Sequence, residues 1–278
     1  MSSTLTRADE RILFEVQSAY QHVVLAQEPS GHLNLTLDDV WQFRSQDEHV
    51  FHEVLADTPM LLAPEPRRVL ILGGGDGLAL RNVLRYPALE AVTLCELDPA
   101  VVEMTREVPE MIALTDNALA DPRVELVVGD ARELVETQAL GRGPARGPYD
   151  VVICDFPAAT SAELEPLFEA PFYTQLTSLT HADSLVAIQV SQDPEGFWPI
   201  CEAVEASFAW LCPLLVNLDL DGSEGHDWAD FILASPRPQR VRREPPSAVR
   251  FVRAELVERL RIQNRGGPSF ETLEYGRV

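Results

Sequence analysis

The feature that most constrains the fold of this chain is a stretch of apolar residues, glycines and acids at residues 68–98. The apolar run at residues 69–72 is typical of a parallel strand that is buried on both faces. Glycines follow at once, and glycine lets a backbone adopt positive φ and approach a ligand closely. A helical segment and a second apolar strand complete the unit. It predicts a doubly wound parallel sheet with a ligand site at the glycine loop.

The acidic residues of this unit indicate which ligand the loop holds. Glu96 ends the second strand, where a carboxylate accepts hydrogen bonds from ribose hydroxyls. Leu78 stands where a pyrophosphate fingerprint requires its third glycine, and Asp76 adds a negative charge to the loop. A dinucleotide is therefore disfavoured, and Gly73, Gly75 and Asp76 are predicted to hold a cationic nucleoside such as an S-adenosyl compound. The less favoured alternative is a plain crossover whose glycines only make a tight turn.

Length, charge and cysteine usage narrow the function classes. A chain of 278 residues has room for one large α/β domain and a small accessory one. A formal net charge of −22 disfavours nucleic-acid binding, which needs a basic face, and is compatible with a cationic small molecule. The cysteines lack metal-ligand spacing, and no apolar stretch has the length of a membrane span. We expect a cytoplasmic protein with no metal, no membrane partner and no tightly bound cofactor.

The hydrophobic periodicity divides the chain into three parts. Short β-like runs followed by a helical pattern at residues 47–62 predict a small antiparallel β domain with a connecting helix, at residues 1–62. Alternating strands and helices predict a Rossmann-like S-adenosyl-binding domain with a mostly parallel sheet, at residues 63–236. Residues 237–278 are predicted as a linker and a helix, at residues 248–263, that pack on the domain. The predicted strands of the Rossmann-like domain are 69–72, 91–95, 124–128, 151–154, 185–190, 214–220 and 228–233, and its predicted helices are 78–86, 99–110, 131–140, 164–179 and 198–208.

Acids also follow the next two predicted strands of this domain. Asp130 follows one strand and Asp155 follows the other, at the sheet edge where open α/β sheets bind their ligands. Asp130 is suited to accept a hydrogen bond from an adenine amino group. Either aspartate could instead be an ordinary helix N-cap or turn residue. Acids at four successive strand ends favour a site over four unrelated caps.

Several spaced motifs along residues 14–235 follow the order found in a known family. They are Ser18-Ala19-Tyr20-Gln21 for S-x-Y-Q, LDDVWQF at 37–43 for L-D-G-x-x-Q, DEHVFHE at 47–53 for D-E-x-x-Y-H-E, GGGDG at 73–77, Glu96-Leu97-Asp98 for E-I-D, Gly129-Asp130 for G-D, and Gln189 with Ser191 near a Q-x-x-S. On these motifs the chain resembles the spermidine synthase family, the polyamine aminopropyltransferases.

The resemblance implies an activity and a set of site residues. The implied reaction moves an aminopropyl group from decarboxylated S-adenosylmethionine, a co-substrate, to an amine or polyamine, and releases methylthioadenosine. The implied donor-binding residues are Gln21, Asp76, Glu96, Asp130 and Ala131. His52, Asp76 and Gln189 would face the acceptor amine, and Asp155 would accept its proton. The family resemblance also implies a homodimer.

One departure from the family pattern leaves the acceptor open. The second aspartate of the family's D-x-x-D-P loop is Ala158 here. Two alternatives therefore stand beside the aminopropyltransferase. One is an S-adenosylmethionine-dependent methyltransferase, although many of these place an acid at the end of the first strand, where this chain has Ile71. The other is a non-catalytic nucleoside-binding member of the family, which Ala158 favours.

Overall fold

The first part of the chain folds into a small antiparallel sheet. A computed structural model of the protein describes residues 9–142, 147–157, 164–190, 194–217, 228–252 and 271–273. The four strands of the small sheet are β1 (Arg11–Gln17), β2 (His22–Gln27), β3 (Leu33–Leu37) and β4 (Val40–Arg44), each paired with the next. The tight turn between β3 and β4 holds Asp38 and Asp39 at positive φ, 48° and 63°. Asp39 is the residue that stands where the family motif has glycine.

The second sheet carries the Rossmann-like architecture. Its strands are β5 (Arg68–Gly73), β6 (Ala91–Glu96), β7 (Val124–Val128), β8 (Tyr149–Asp155), β9 (Thr180–Val190), β10 (Trp210–Asn217), β11 (Trp228–Ser235) and β12 (Glu271–Leu273), in the spatial order β12-β10-β11-β9-β8-β5-β6-β7. The five adjacent strands β9, β8, β5, β6 and β7 run parallel to one another. Strand β11 runs antiparallel to both of its neighbours, β9 and β10. The predicted fold class is therefore confirmed. The sequence prediction missed β12, a three-residue strand that pairs parallel to β10.

Helices connect the strands and cover the sheet. They are α1 (Glu48–His52), α2 (Thr58–Leu62), α3 (Leu78–Leu84), α4 (Pro99–Glu107), α5 (Pro109–Leu114), α6 (Ala131–Ala139), α7 (Ala170–Thr177) and α8 (Pro194–Glu205), with short 3₁₀ segments at Ala118–Ala120 and Glu165–Phe168. None of the described helices combines the length and the apolarity that crossing a membrane requires.

Two predicted helices are interrupted for local reasons, and the helix predicted at residues 164–179 is a 3₁₀ segment followed by α7. The helix predicted at residues 47–62 contains a π-helical turn, Glu53–Asp57, between α1 and α2. Such turns are frequent at functional sites, and this one begins directly after His52. The helix predicted at residues 99–110 divides into α4 and α5 at Val108, whose backbone is extended. The ring of Pro109 disfavours the helical conformation in the residue before it.

Three apolar clusters hold these elements together. One packs α1 to α3 on one face of the large sheet, and a second packs α6 to α8 on the other face. The third joins the small sheet to the start of α3 and to α4, and it contains Leu25, Leu35, Leu78 and Met104. The side chain of Leu78 is fully buried there. Packing between the two sheets thus accounts for the leucine that replaces the last glycine of the family loop.

After β11 the chain returns to the helical segment that connects the two sheets, and it contacts Glu53 and the end of α2. The buried Glu53 carboxylate accepts hydrogen bonds from the backbone N–H groups of Arg250, Phe251 and Val252. Arg242 and Arg243 donate to backbone carbonyls at the end of α2. The described start of the predicted terminal helix, residues 248–252, is irregular, and residues 253–270 lie outside the described part.

Candidate active site

The glycine loop after β5 is shaped by the acidic residues that pack against it. Gly73, Gly74 and Gly77 have φ values of 82°, 66° and 81°, which favour glycine. A Cβ atom on Gly73 would overlap the backbone oxygen of Asp155, and one on Gly74 would lie 2.8 Å from Oδ2 of Asp155. The loop can therefore contact the end of β8 only because these residues lack side chains.

Glu96 is held at the end of β6 by two backbone donors. The N–H of Gly75 donates to Oε2 at 2.9 Å, and the N–H of Asp98 donates to Oε1 at 2.9 Å. A Cβ atom on Gly75 would lie 2.5 Å from Cγ of Glu96, so this glycine is also required by packing. Burial raises the pKa of Glu96 above its usual value, against the effect of these hydrogen bonds. The carboxylate is thus fixed in place but retains lone pairs for further donors.

Asp76 and Asp155 place two further carboxylates at the sheet edge where Glu96 lies. Oδ1 of Asp76 accepts the N–H of Leu78, the first residue of α3, at 2.9 Å. Burial, together with the negative charges of Asp76 and Glu96, raises the pKa of Asp155 to about 7, although the nearby His52 opposes this shift. We call Asp76, Glu96 and Asp155 the strand-end acids. The three lie where the sequence predicted them, at the carboxyl ends of β5, β6 and β8.

His52 is the last residue of α1, and its ring is held by Glu48 of the same helix. Asp76 and Asp155 of the strand-end acids act on it electrostatically. Its Nδ1 lies 2.8 Å from the backbone oxygen and 3.0 Å from Oε2 of Glu48. Glu48 in turn accepts two hydrogen bonds from the guanidinium of Arg81, at 3.0 and 2.9 Å. Burial disfavours the charged imidazole, but Glu48, Asp76 and Asp155 together raise the pKa of His52. The sequence predicted His52 but gave no indication of the Glu48–Arg81 pair, since its members lie 33 positions apart.

Gln21 lies at the junction of the two sheets. Its Nε2 donates to Oδ2 of Asp98 at 3.0 Å, and the hydroxyl of Ser18 donates to the same oxygen at 2.7 Å. Oδ1 of Asp98 accepts the N–H of Ala100 and caps α4. The S-x-Y-Q motif therefore fastens the β1–β2 turn to Asp98, two residues after the ribose-binding candidate Glu96. The sequence analysis placed Asp98 in the Glu96-Leu97-Asp98 motif but gave it no role of its own, although an Asp-Pro step indicates a helix start.

Asp130 occupies the N-cap position of α6. Its carboxylate accepts the N–H of Arg132 at 2.7 Å and forms an ion pair with the Arg132 guanidinium, also at 2.7 Å. This partner holds the pKa of Asp130 below its usual value. Ala131 is buried beneath the cap. The N-cap alternative considered for Asp130 is thus realised, and both of its oxygens accept hydrogen bonds from Arg132.

Gln189 and Phe51, two further residues of the family motifs, lie on β9 and α1. Gln189 is a half-buried residue of β9, paired in register with Phe231 of β11. Phe51, which replaces the family tyrosine, packs edge-on against the rings of His52 and Phe231, both at 5.0 Å. Ala158 and Ser191 lie outside the described residues.

Two further observations concern a possible metal site and a groove elsewhere in the described part of the chain. In the described part of the chain, no group of three His, Cys, Asp or Glu side chains is arranged to hold a metal ion. A groove of about 370 Å³ lies beside the C-terminal half of α3, but its lining contains none of the predicted site residues. This groove is therefore separate from the strand-end acids, which are the candidate site.

Comparison with known proteins shows the family to which the chain belongs. The family model described as "Spermine/spermidine synthase domain" matches residues 48–212. A polyamine aminopropyltransferase 2 of Bacillus cereus is 37% identical over 196 residues, which cover 69% of this chain and 51% of that protein. A polyamine aminopropyltransferase 2 of Ralstonia nicotianae is 33% identical over 273 residues, 93% of this chain and 50% of that protein. The chain spans about half the length of these curated relatives.

Solved structures are similar over most of the chain. A spermidine synthase in complex with the transition state analogue AdoDATO superimposes with a TM-score of 0.71 at 28% identity, over 82% of this chain and 74% of that one. Spermidine synthase from Thermotoga maritima gives a TM-score of 0.74 at 24% identity, over 93% of this chain and 85% of that one. The second similarity is evidence for the fold alone.

Proposed function

The chain belongs to the spermine/spermidine synthase family, and from this premise we propose that it is a polyamine aminopropyltransferase. It transfers the aminopropyl group of decarboxylated S-adenosylmethionine to an amine and releases methylthioadenosine. The observation that carries the proposal is the gathering of the strand-end acids around a glycine loop, with Asp155 at a pKa of about 7. Carboxylates in a partly dry cleft attract both a cationic donor and a cationic acceptor.

The reaction assigns a distinct task to Asp155. The amine nitrogen of the acceptor, in its neutral form, attacks the methylene carbon next to the sulfonium sulfur. The carbon–sulfur bond breaks toward sulfur, which leaves as the neutral thioether of methylthioadenosine. The new carbon–nitrogen bond leaves a proton on nitrogen, and Asp155 accepts it. A base whose pKa lies near the working pH is substantially ionised at that pH and is still basic enough to accept a proton, and the pKa of Asp155 is about 7.

The donor nucleoside is assigned to the ends of β6 and β7. Glu96 would accept hydrogen bonds from the ribose hydroxyls, since its position is fixed by two backbone donors. Leu97 and Val128 flank it with apolar side chains that are 38% and 51% exposed. We assign the adenine ring to these apolar surfaces, with Asp130 accepting its amino group. Gln21 would act indirectly, by fastening the β1–β2 turn over Asp98.

The retained amine of the donor would meet Asp76. Decarboxylated S-adenosylmethionine has this amine without the neighbouring carboxylate, so it places no like charge beside the loop acid. S-adenosylmethionine itself would bring a carboxylate toward Asp76, which disfavours the methyltransferase alternative. His52 and Gln189 remain assigned to the acceptor amine.

The acceptor is expected to differ from a short diamine. Ala158 removes the second carboxylate that would bind one ammonium of putrescine, so putrescine should be a poor acceptor and a longer or differently shaped amine a better one. Ala158→Asp should then improve turnover with diamines. We keep the homodimer and the cytoplasmic location as further proposals, and light scattering of the purified chain tests the first.

The decisive assay measures methylthioadenosine released from decarboxylated S-adenosylmethionine across a panel of amines. Release that depends on one of the amines supports the proposal. Tight donor binding with no release across the panel would favour the non-catalytic alternative. Methyl transfer from S-adenosylmethionine would favour the methyltransferase.

A further inference from the structure

A buried polar chain runs from the pocket into the protein behind His52. The residues that form it are buried: His52 is 2% exposed, Glu48 is 4% exposed and Arg81 is 7% exposed. Arg81 uses both terminal nitrogens on the Glu48 carboxylate. It also donates to the backbone oxygen of Leu114 at 3.0 Å and to Oδ1 of Asn82 at 3.1 Å. The guanidinium is therefore held from several directions, and it fixes the carboxylate in a bidentate geometry.

The anchored carboxylate determines where the protons of His52 lie. The backbone oxygen of Glu48 lies 2.8 Å from Nδ1 and can only accept a hydrogen bond. Nδ1 must therefore carry a proton, which it shares between this oxygen and Oε2 of the same residue. The neutral imidazole is then the Nδ1–H tautomer, and a second proton can add only at Nε2. The ring is also packed edge-on by Phe51.

Three carboxylates act on this ring, one from its own helix and two from the sheet. Glu48 faces it from α1 and is itself matched by Arg81 from α3. Asp76 and Asp155 act on it from the ends of β5 and β8. Two carboxylates therefore act on the ring from the sheet, in addition to Glu48 on its own helix.

We infer that Glu48 and Arg81 are positioning residues that lock the His52 ring with its Nδ1–H turned inward and its positive charge turned toward Asp76 and Asp155. This inference deepens the proposed function and rests on it for its catalytic consequence. The cationic ring stabilises the ionised form of Asp155, since His52 lowers the pKa that burial and the other acids raise. Without that charge, Asp155 would retain its proton to higher pH and would be a poorer proton acceptor at neutral pH.

The first test needs no variant and no turnover. Long-range proton–nitrogen correlation in the isotope-labelled, unliganded protein reports the tautomer and the titration of His52. We expect protonated Nδ1 at every pH and a titration midpoint above that of a free histidine. A neutral ring protonated at Nε2, or a midpoint at or below that of free histidine, would overturn the inference whatever the enzyme's substrate is.

The second test compares Glu48→Gln with a matched control, Asp47→Asn. Glu48→Gln removes the negative charge behind the ring, so the His52 midpoint should fall and the pH at which turnover reaches half its maximum should rise, each by about one unit. Asp47 precedes Glu48 and pairs with Arg44 at 3.2 Å, so its substitution should leave both values in place. Equal shifts in the two variants, or none in Glu48→Gln, would contradict the positioning role.

A third variant covers the case in which Glu48→Gln does not fold. His52→Gln leaves the Glu48–Arg81 pair intact and supplies a neutral donor to Glu48. The titration of the Asp155 carboxyl, followed by carbon NMR, should then move to higher pH by about one unit. An unchanged Asp155 titration would show that the ring charge does not act on it. Failure of the proposed function would instead appear as absent turnover with these titrations still as expected.

Discussion

Two groups of acidic residues in this protein have opposite electrostatic environments. The strand-end acids gather in one pocket, and Asp155 among them has its pKa raised to about 7. On the neighbouring helical segment, Glu48 is matched by Arg81 and His52, and its pKa is lowered to about 2. Glu53 on the same segment accepts three backbone N–H groups.

The difference shows how one acidic sequence serves stability and function at different places. Carboxylates whose partners lie within the fold stabilise it, and their negative charge is not available to a ligand. The strand-end acids repel one another, and His52 offsets that repulsion only in part, so their ionisation at neutral pH costs stability that a cationic ligand would restore. The strand-end acids thus identify the site more clearly than the number of acids in the chain does.

The largest effect is expected from Asp155→Asn. Asparagine retains the shape but cannot accept the proton, so turnover should fall by about 10²- to 10⁴-fold while donor binding stays within about threefold. The same change should raise the melting temperature at pH 8. Since the folded pKa of Asp155 is raised from 3.8 to about 7, its ionisation costs stability progressively as pH rises between those values. A variant that keeps wild-type turnover, or that melts lower at pH 8 than the wild type, would contradict the account.

Glu48→Gln should have a large effect of the opposite kind on stability. It leaves the buried Arg81 without its anionic partner, which should lower the free energy of unfolding at pH 7 by about 3–5 kcal/mol in urea titrations. The folded pKa of Glu48 is lowered from 4.5 to about 2, so its contribution is complete above pH 4.5 and is lost as pH falls toward 2. The difference between wild type and variant should therefore shrink below pH 4.5.

A surface ion pair supplies the control for that experiment. Glu90 pairs with Arg67 at 2.9 Å, and the two side chains are 60% and 53% exposed. Glu90→Gln should cost less than about 1 kcal/mol at any pH. If Glu48→Gln costs no more than this control, the buried pair does not stabilise the fold as described.

A smaller effect is expected from Glu96→Gln on ligand binding. If Glu96 accepts hydrogen bonds from the ribose hydroxyls, every adenosine ligand should bind more weakly by about 1.5–3 kcal/mol, the range for hydrogen bonds to charged groups. The loss should be similar for methylthioadenosine and for the full donor, because both carry the ribose. Unchanged affinity in calorimetry, with an intact fold by circular dichroism, would exclude Glu96 as a ribose ligand.

The sequence predicted the strand-end acids because their signals are local. Each follows an apolar run, and parallel strands bring their carboxyl ends to one edge. The Glu48–Arg81 pair and the contact between Gln21 and Asp98 have no such signal, since each joins residues tens of positions apart. The return of Arg242 and Arg243 to the end of α2 is more distant still.

Some differences came from physical competition that a pattern does not reveal. The helical pattern at residues 99–110 continues across Val108, but the following proline ends it. Leu78 breaks the glycine pattern of the family loop because its side chain is needed in the cluster between the two sheets. Asp130 had two possible roles in the sequence, and only the hydrogen bond from the backbone N–H of Arg132 identified it as the N-cap of α6.

The central claim is that the strand-end acids select a cationic donor without a carboxylate, and one calorimetric comparison tests it most directly. Decarboxylated S-adenosylmethionine, methylthioadenosine and S-adenosylmethionine should be titrated into wild type and into Asp76→Asn. In the wild type the first two should bind more tightly than S-adenosylmethionine, and Asp76→Asn should reduce the preference for the decarboxylated donor. Tighter binding of S-adenosylmethionine to the wild type would contradict the claim and favour a methyltransferase.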